Sequence, residues 1–294
     1  MILSRSGIMK KNHFMKSIVN IFLACVALLV VSCGGKEKKH YASPCDSLCE
    51  VYKLKSVTHL ADIKDGDSAI FKAPNNKCYL VVSYKTETKD GQKDDAKVSA
   101  TANPTEDCDK FTGTDRKAAR TSAANAYTLL YKNISSFIKS LPGDDEMGKT
   151  HIPDIKIDSN SKRADEEQKN VHIKRSLIYA IALQADRDYR IIIGDSSDIS
   201  KAEFFNITIS GLPGKKSASY DKLSKSRQAF KDFFGINNCK RGNAFIFVTP
   251  IEIEFVGSLF FDKYGFDNKS DKGLKEFRSK TYWEIHPVFK IKYL

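Results

Sequence analysis

The segment HIKRSLIYAIALQADRDYRIIIGD, His172 to Asp195, reads as two strands and the turn between them. Leu177, Tyr179, Ile181 and Leu183 alternate with their neighbours, the period of a half-buried strand. The run Ala185 to Asp188 is polar and turn-like, and Tyr189 to Asp195 resumes an apolar strand. Working outward, Lys201 to Pro213 supplies a third strand. An amphipathic stretch from Tyr220 to Phe234 predicts a helix that Gly235 stops. Ala244 to Gly265 predicts one long strand, or two broken near Pro250, and TYWEIHPVFKIKY from Thr281 predicts the last.

Strand, strand, strand, helix, strand, strand is the order of an OB-type barrel, a small five-stranded Greek-key barrel. The expected class is mainly β with helices (α+β). An OB-like barrel with one helix spans residues 171–294, after a disulfide-prone α+β region at 41–150 and a linker at 151–170. Within the N-terminal region, Ser68 to Ala73 and Cys78 to Lys85 form a hairpin across Pro74 to Lys77. Lys85 to Thr121 is polar and reads as a long loop held by Cys108. Tyr127, Leu130, Ile134, Phe137 and Leu141 recur at helical spacing, so a core-facing helix is expected there, ended by Pro142-Gly143. Pro142 to Lys149 and Asp158 to Asn170 look like linkers.

The N-terminus carries an address. A basic start precedes an apolar run from Ile18 to Val31 that ends in Ser32-Cys33-Gly34, the layout of a secretory leader rather than a spanning helix. Translation from Met9 or Met15 would give that leader an ordinary length. Val30-Val31-Ser32-Cys33 resembles the bacterial lipobox, in which cleavage precedes the cysteine and its thiol is acylated, as with palmitate. Residues 1–32 are thus expected to be a signal peptide, Cys33 the lipidation site and 33–40 a tether. Gly34 and the absence of an acidic cluster in GGKEKK imply an outer-membrane lipoprotein facing the periplasm. The formal charge of +12 falls to about +8 once the leader's four basic groups are removed. Acids lie between the basic residues in most stretches, as in Lys85 to Lys97, so a solvated surface is the simpler reading than a nucleic-acid stripe.

Seven cysteines fall to five after processing: Cys45, Cys49, Cys78, Cys108 and Cys239. Outside the cytoplasm they can pair, and Cys45, Cys49, Cys78 and Cys108 are the disulfide candidates, with three pairings open among them. Cys45 and Cys49 lack a second pair or a nearby His cluster, which argues against zinc.

ALQADRDYRIIIGD, ITISGLP (Ile207 to Pro213), VGSLFFD (Val256 to Asp262) and WEIHPV (Trp283 to Val288) resemble a family of mostly uncharacterised bacterial domains with a D-x-D-Y-H turn and a W-E-I-H-P-V ending. The resemblance covers the last ~120 residues, one domain's worth. It implies no firm activity. Arg190 stands where the family's turn usually has His, so a catalytic role for that His would be lost in this copy.

Glu284 and His286 share one face of the last strand, with Trp283 and Ile285 on the other, and Pro287 marks an edge or a bend. Arg227 falls on the apolar stripe of the predicted helix, between Leu223 and Phe230. A buried Arg needs an anion, and a structural Arg227–Glu284 pair is expected, with Asp262 the other candidate. That leaves His286 without a partner. Asp186 and Asp188 read first as turn residues, with Arg187 between them on the surface; metal binding with Asp195 is the rival.

Two functions remain. The first is a lipid-anchored module that binds an envelope protein or an oligomeric ligand. Tyr189, Phe204, Phe205, Lys201, Lys215 and Lys216 would suit a nucleic acid, unless the aromatics fill the core. The second is a metal-assisted hydrolase, phosphodiesterase- or nuclease-like, using Asp186, Asp188 and His286. No G-x-S-x-G elbow, H-E-x-x-H pair or phosphate-binding Gly loop is present, and Cys239 has no adjacent His. The binding reading leads, and no cofactor is expected.

Overall fold

The computed structural model describes residues 43–85, 107–151, 158–236, 243–269 and 277–294. The leader, Cys33, the tether and Cys239 lie outside the described residues. The elements run α1 (Pro44–Tyr52), β1 (Ser56–Val57), β2 (Ser68–Lys72), β3 (Cys78–Lys85), α2 (Lys117–Arg120), β4 (Thr128–Tyr131), α3 (Ile134–Ile138), α4 (Asp144–Glu146), β5 (Asn170–Leu183), β6 (Tyr189–Gly194), β7 (Phe205–Ile209), α5 (Tyr220–Phe234), β8 (Asn243–Phe261), α6 (Lys263–Asp267) and β9 (Trp283–Tyr293).

The strands form one sheet in the order β1-β2-β3-β8-β9-β7-β6-β5-β4, and a further β5–β8 pairing closes β5, β6, β7, β9 and β8 into a five-stranded barrel. Within the barrel only β7 and β9 run parallel. This is the expected OB-like barrel, with its helix α5 between the third and fourth barrel strands. Gly235, at φ 63, supplies the left-handed residue that ends α5. Pro250 does not break β8, which continues through it. β9 is no edge: it pairs with both β7 and β8, and the ladder accommodates the Pro287 region by register shifts around Gly257.

The barrel is filled by Ile173, Ile181, Tyr189, Ile191, Ile207, Phe255, Trp283 and Ile285, among others. The alternation expected along β5 holds only in part. A register shift between Ile178 and Ala180 sends Leu177 and Tyr179 outward, against Ile192, Ile246 and Phe277, while Ile178 and Ile181 face inward. A bulge adds one residue and so moves the downstream side chains to the opposite face.

Ser43–Leu294 is one compact unit, so the expected divide at 151–170 separates nothing. The hairpin β2–β3 lies on the first part of β8, Val81 opposite Phe247. Phe71 of β2 packs on Phe233 and Phe234 of α5, with ring centroids 6.1 and 6.0 Å away. Burying each such ring is worth about 1.5–3 kcal/mol, enough to seat the hairpin on the barrel. The stretch 158–170 is packed rather than linking: Arg163, Glu167 and Asn170 are all buried.

The helix expected from Tyr127 is also corrected. Thr128–Tyr131 is strand β4, parallel to the start of β5, and only Ile134–Ile138 is helical. The side chain of Asn133 accepts from Ser136 N–H and starts that helix afresh. Ile134 and Phe137 are core, but Tyr127 and Leu130 are exposed.

Cys45 and Cys78 are joined, tying α1 to the start of β3. Cys49 is a free thiol. Cys108 is disulfide-bonded too, so its partner is not one of the other three candidates, contrary to pairing within that set.

The predicted loop before Thr121 becomes, from Asp107 onward, a strap laid over the outside of the barrel. Phe111 N–H donates to Leu212 O at 3.0 Å, and Leu212 N–H to Asp109 O at 2.6 Å. A Cβ on Gly211 would sit 2.7 Å from the Phe111 Cα, so only glycine lets the strap approach there. Thr112 N–H donates to Asp186 O, Ala123 N–H to Ser219 Oγ and Ala124 N–H to Ser258 Oγ.

Candidate functional site

The turn between β5 and β6 carries Asp186 and Asp188 to the barrel's outer rim. Gln184 N–H donates to Asp188 O, and Asp188 N–H to Asp186 Oδ1 at 3.1 Å. Arg187, expected on the surface, is buried in a left-handed conformation at φ 76. On the same outer face, β9 presents Glu284 and His286, because Trp283 and Ile285 take the inside. β7 lies between, with Asn206 opposite Glu284.

Asp188, His286 and Glu284 meet there. His286 Nε2 is 3.2 Å from Asp188 Oδ2, and its Nδ1 is 3.1 Å from Glu284 Oε1. The imidazole is 0% exposed and lies near the Phe260 ring, 5.4 Å between centroids. Arg120, from α2 of the strap, holds both turn acids: its Nη2 lies 2.8 Å from Asp186 Oδ2 and 2.9 Å from Asp188 Oδ2. Gly211 N–H donates to Asp188 Oδ1 at 2.7 Å. Asp115 lies 4.0 Å from Arg120 Nη1. So the three catalytic candidates converge, Asp188 and His286 directly and Asp186 through Arg120.

Electrostatics divide the two turn acids. Burial opposes ionisation of Asp188, but the charges of His286 and Arg120 and the Gly211 N–H outweigh it and hold its pKa below the usual range. Burial and the neighbouring Asp188 charge push Asp186 up. Burial also raises Asp115 and, with the charge of Glu284, Asp262. For His286 burial acts against the charge, yet Asp188 and the bonds to Asp188 and Glu284 prevail, and its pKa is raised. Glu284 is lowered by His286, Arg190 and Arg120 in spite of burial.

The site rests on a second set of buried arginines. Arg116 makes a bidentate pair with Glu167, at 2.8 and 2.7 Å, and both side chains are 0% exposed. Arg163 donates to the carbonyls of Leu259, Ala119, Ser122 and His286. Burial pushes its pKa down to about 10. Strap, barrel and 158–170 stretch are therefore riveted by guanidinium groups, which suit carbonyls and carboxylates because they present five donors in a fixed fork.

The expected Arg227–Glu284 pair is not formed. Arg227 is buried on α5 as foreseen, but its Nε donates to Asp109 at 2.8 Å and its other nitrogens to the carbonyls of Ser210 and Cys108, over the ring of Tyr189 at 4.5 Å. Glu284 lies on the outer wall of β9 and answers His286 instead. Nor does Asp195 join the turn acids: Ser135 Oγ and Glu203 N–H donate to it. Among the described residues no group of three or more His, Cys, Asp or Glu side chains could hold a metal ion. Tyr189 and Phe205 are core, and Phe204 packs on Tyr179 and Phe277, so these aromatics do not offer a stacking surface.

Asp109, Asp115, Arg116, Arg120, Arg163 and Glu167 had no signal in the sequence. They lie in polar stretches, and burial of a charge leaves no periodic trace.

No family model, curated protein or solved structure matches the chain.

Proposed function

We propose that this chain is an envelope lipoprotein, anchored through Cys33 at the periplasmic face of an outer membrane, whose barrel is a binding and interaction module. One observation carries the preference for binding over catalysis. Nδ1 of His286 is hydrogen-bonded to Glu284 and Nε2 lies 3.2 Å from the Asp188 carboxylate in a fully buried position, so neither nitrogen is open to a substrate. Arg120 likewise engages both turn acids. The ligand would meet the rim where Asp115, Asp186 and Arg190 are only partly buried. That rim lies beside the first barrel turn, one of the two loops that OB barrels use for oligomeric ligands. Its carboxylates oppose a phosphate backbone, so a glycan or an envelope protein suits it better than a nucleic acid.

A second reading, hydrolysis, draws on the convergence of Asp186, Asp188 and His286 and on the opposite pKa shifts of the two acids, the pattern of an acid–base pair. Its metal-assisted form would need donors that the described residues do not assemble.

A thermal-shift screen of the mature chain against glycans, single-stranded oligonucleotides and divalent cations tests the choice. Binding predicts stabilisation by an oligomeric ligand that remains intact and that Asp186→Ala no longer recognises. Stabilisation by a divalent cation, lost in Asp188→Asn and accompanied by ligand cleavage, would overturn it in favour of the hydrolase. Silence towards all three would leave an envelope protein as the partner.

A further inference from the structure

We propose that His286 is a pH-operated keystone: as imidazolium it clamps the β5–β6 turn to β9, and loss of its proton lets the turn and the strap loosen from β9 together. The clamp is a matter of geometry and holds whether the rim binds or hydrolyses. A neutral imidazole has one N–H and one lone pair. Here a carboxylate oxygen faces each nitrogen, Asp188 Oδ2 at 3.2 Å and Glu284 Oε1 at 3.1 Å, in a site closed to water. Only the doubly protonated ring offers a positively charged N–H to each, as a hydrogen bond to Glu284 and as an ion pair with Asp188. Once it is neutral, one carboxylate must confront a lone pair in a buried setting, where an unmade bond carries its full desolvation cost.

The surroundings decide which contact fails. Asp188 keeps the Arg120 guanidinium and the Gly211 N–H. Glu284 has His286 as its hydrogen-bond partner, so the remaining proton stays on Nδ1 and Nε2 faces Asp188. The other charged groups around the ring are Asp186 from the turn, Asp115 from the strap, Asp262 at the end of β8 and Arg190 from β6. Arg163 binds the His286 carbonyl and holds the backbone of β9 in place. The turn cannot leave alone. Thr112 grips it through Asp186 O and Ala185 O, and Arg120 grips its acids. Turn and strap therefore part from β9 as one body.

The sign follows from the raised pKa of His286. The clamp is complete below the ordinary value of 6.5 and is lost as pH rises through the higher folded value. Two measurements on the mature chain test this: the NMR titration of His286 Cε1, and hydrogen exchange of the Thr112, Ala118, Ala123 and Ala124 amides, corrected for intrinsic pH dependence. The expected result is a His286 midpoint above 6.5. Strap exchange should rise several-fold across that same midpoint, because the clamp is lost with the proton. The β2–β3 amides should not respond. His286→Gln should make strap exchange fast and independent of pH, and His172→Gln should change nothing. Should His286→Gln not fold, Glu284→Gln must lower the midpoint and shift the exchange step with it. Strap exchange flat across the His286 midpoint, or an imidazole that stays neutral in mild acid, would overturn the proposal.

Discussion

Replacing Arg116 with Met tests how the strap is fastened. The change keeps a Cβ on a residue at φ 42 and so leaves the local backbone preference untouched, while removing the whole guanidinium. What is lost is a bidentate pair with Glu167, bonds to the carbonyls of Phe261 and Lys162 at 3.1 and 2.9 Å, and a stacked contact 4.7 Å from the Phe260 ring centroid. What remains is the fully buried Glu167 carboxylate, hydrogen-bonded among the described residues by the N–H groups of Phe261 and Ala164, with the Arg163 charge nearby. Breaking one side of a buried pair costs about 3–5 kcal/mol. In a domain of this size each kcal/mol is worth about 2–4 °C, so Tm should fall by on the order of 10 °C. Adding Glu167→Gln removes the stranded charge but keeps its acceptor, and the double variant should recover about half of the loss. Asp145→Asn, which breaks an exposed pair with Lys149, serves as the control and should leave Tm unchanged. Reversible thermal unfolding followed by circular dichroism gives the values. A fall of less than about 2 °C for Arg116→Met, or a double variant no more stable than the single, would refute the reasoning.

Four further outcomes are expected. Arg227→Met and Asp109→Asn should each destabilise, and their combination should cost less than the sum, as a double-mutant cycle in urea would reveal. Burial opposes the low pKa of Asp109, but Arg227 and Lys231 hold it below 3.8, so its stabilisation is present above that value and lost as pH falls through the lower folded one. Asp109→Asn should therefore flatten the acid limb of a stability–pH curve. Gly211→Ala would drive a methyl into the Phe111 backbone; a loss of about 1–3 kcal/mol is expected, with faster exchange at Phe111 N–H, and a neutral effect would mean the strap yields easily. Cys33→Ser should abolish labelling by a fatty-acid analogue and leave an uncleaved precursor on a gel, whereas unchanged processing would remove the lipoprotein reading.

The barrel was legible because its strands and α5 each carry a local code. Tyr220 to Phe234 has a helical stripe with a glycine stop, and Trp283 and Ile285 alternate with Glu284 and His286. The candidate site was half legible for the same reason: Asp186, Asp188, Glu284 and His286 sit on elements whose pattern reveals direction. Their partners did not. Arg227 binds Asp109, a residue 118 positions away in a polar stretch, and nothing near either one announces the other. Arg116, Arg163 and Glu167 invert the ordinary rule that charge marks the surface. The stripe from Tyr127 to Leu141 misled because its spacing suits a helix, while pairing with β5 makes its first part a strand. Tertiary context won there.

β8 pairs with β3, β5 and β9, so the sheet is completed late in the life of the nascent chain. The β2–β3 hairpin emerges early from the ribosome, but the strand that covers its open edge comes far later, Val81 waiting for Phe247. Until then β3 is a bare template for any passing strand, and pairings this distant form slowly. The Cys45–Cys78 bond closes within the first part of the chain and can form before β8 arrives. It would keep the waiting hairpin folded on α1 until β8 arrives, so its cost if removed should appear less in final stability than in the yield of correctly folded protein.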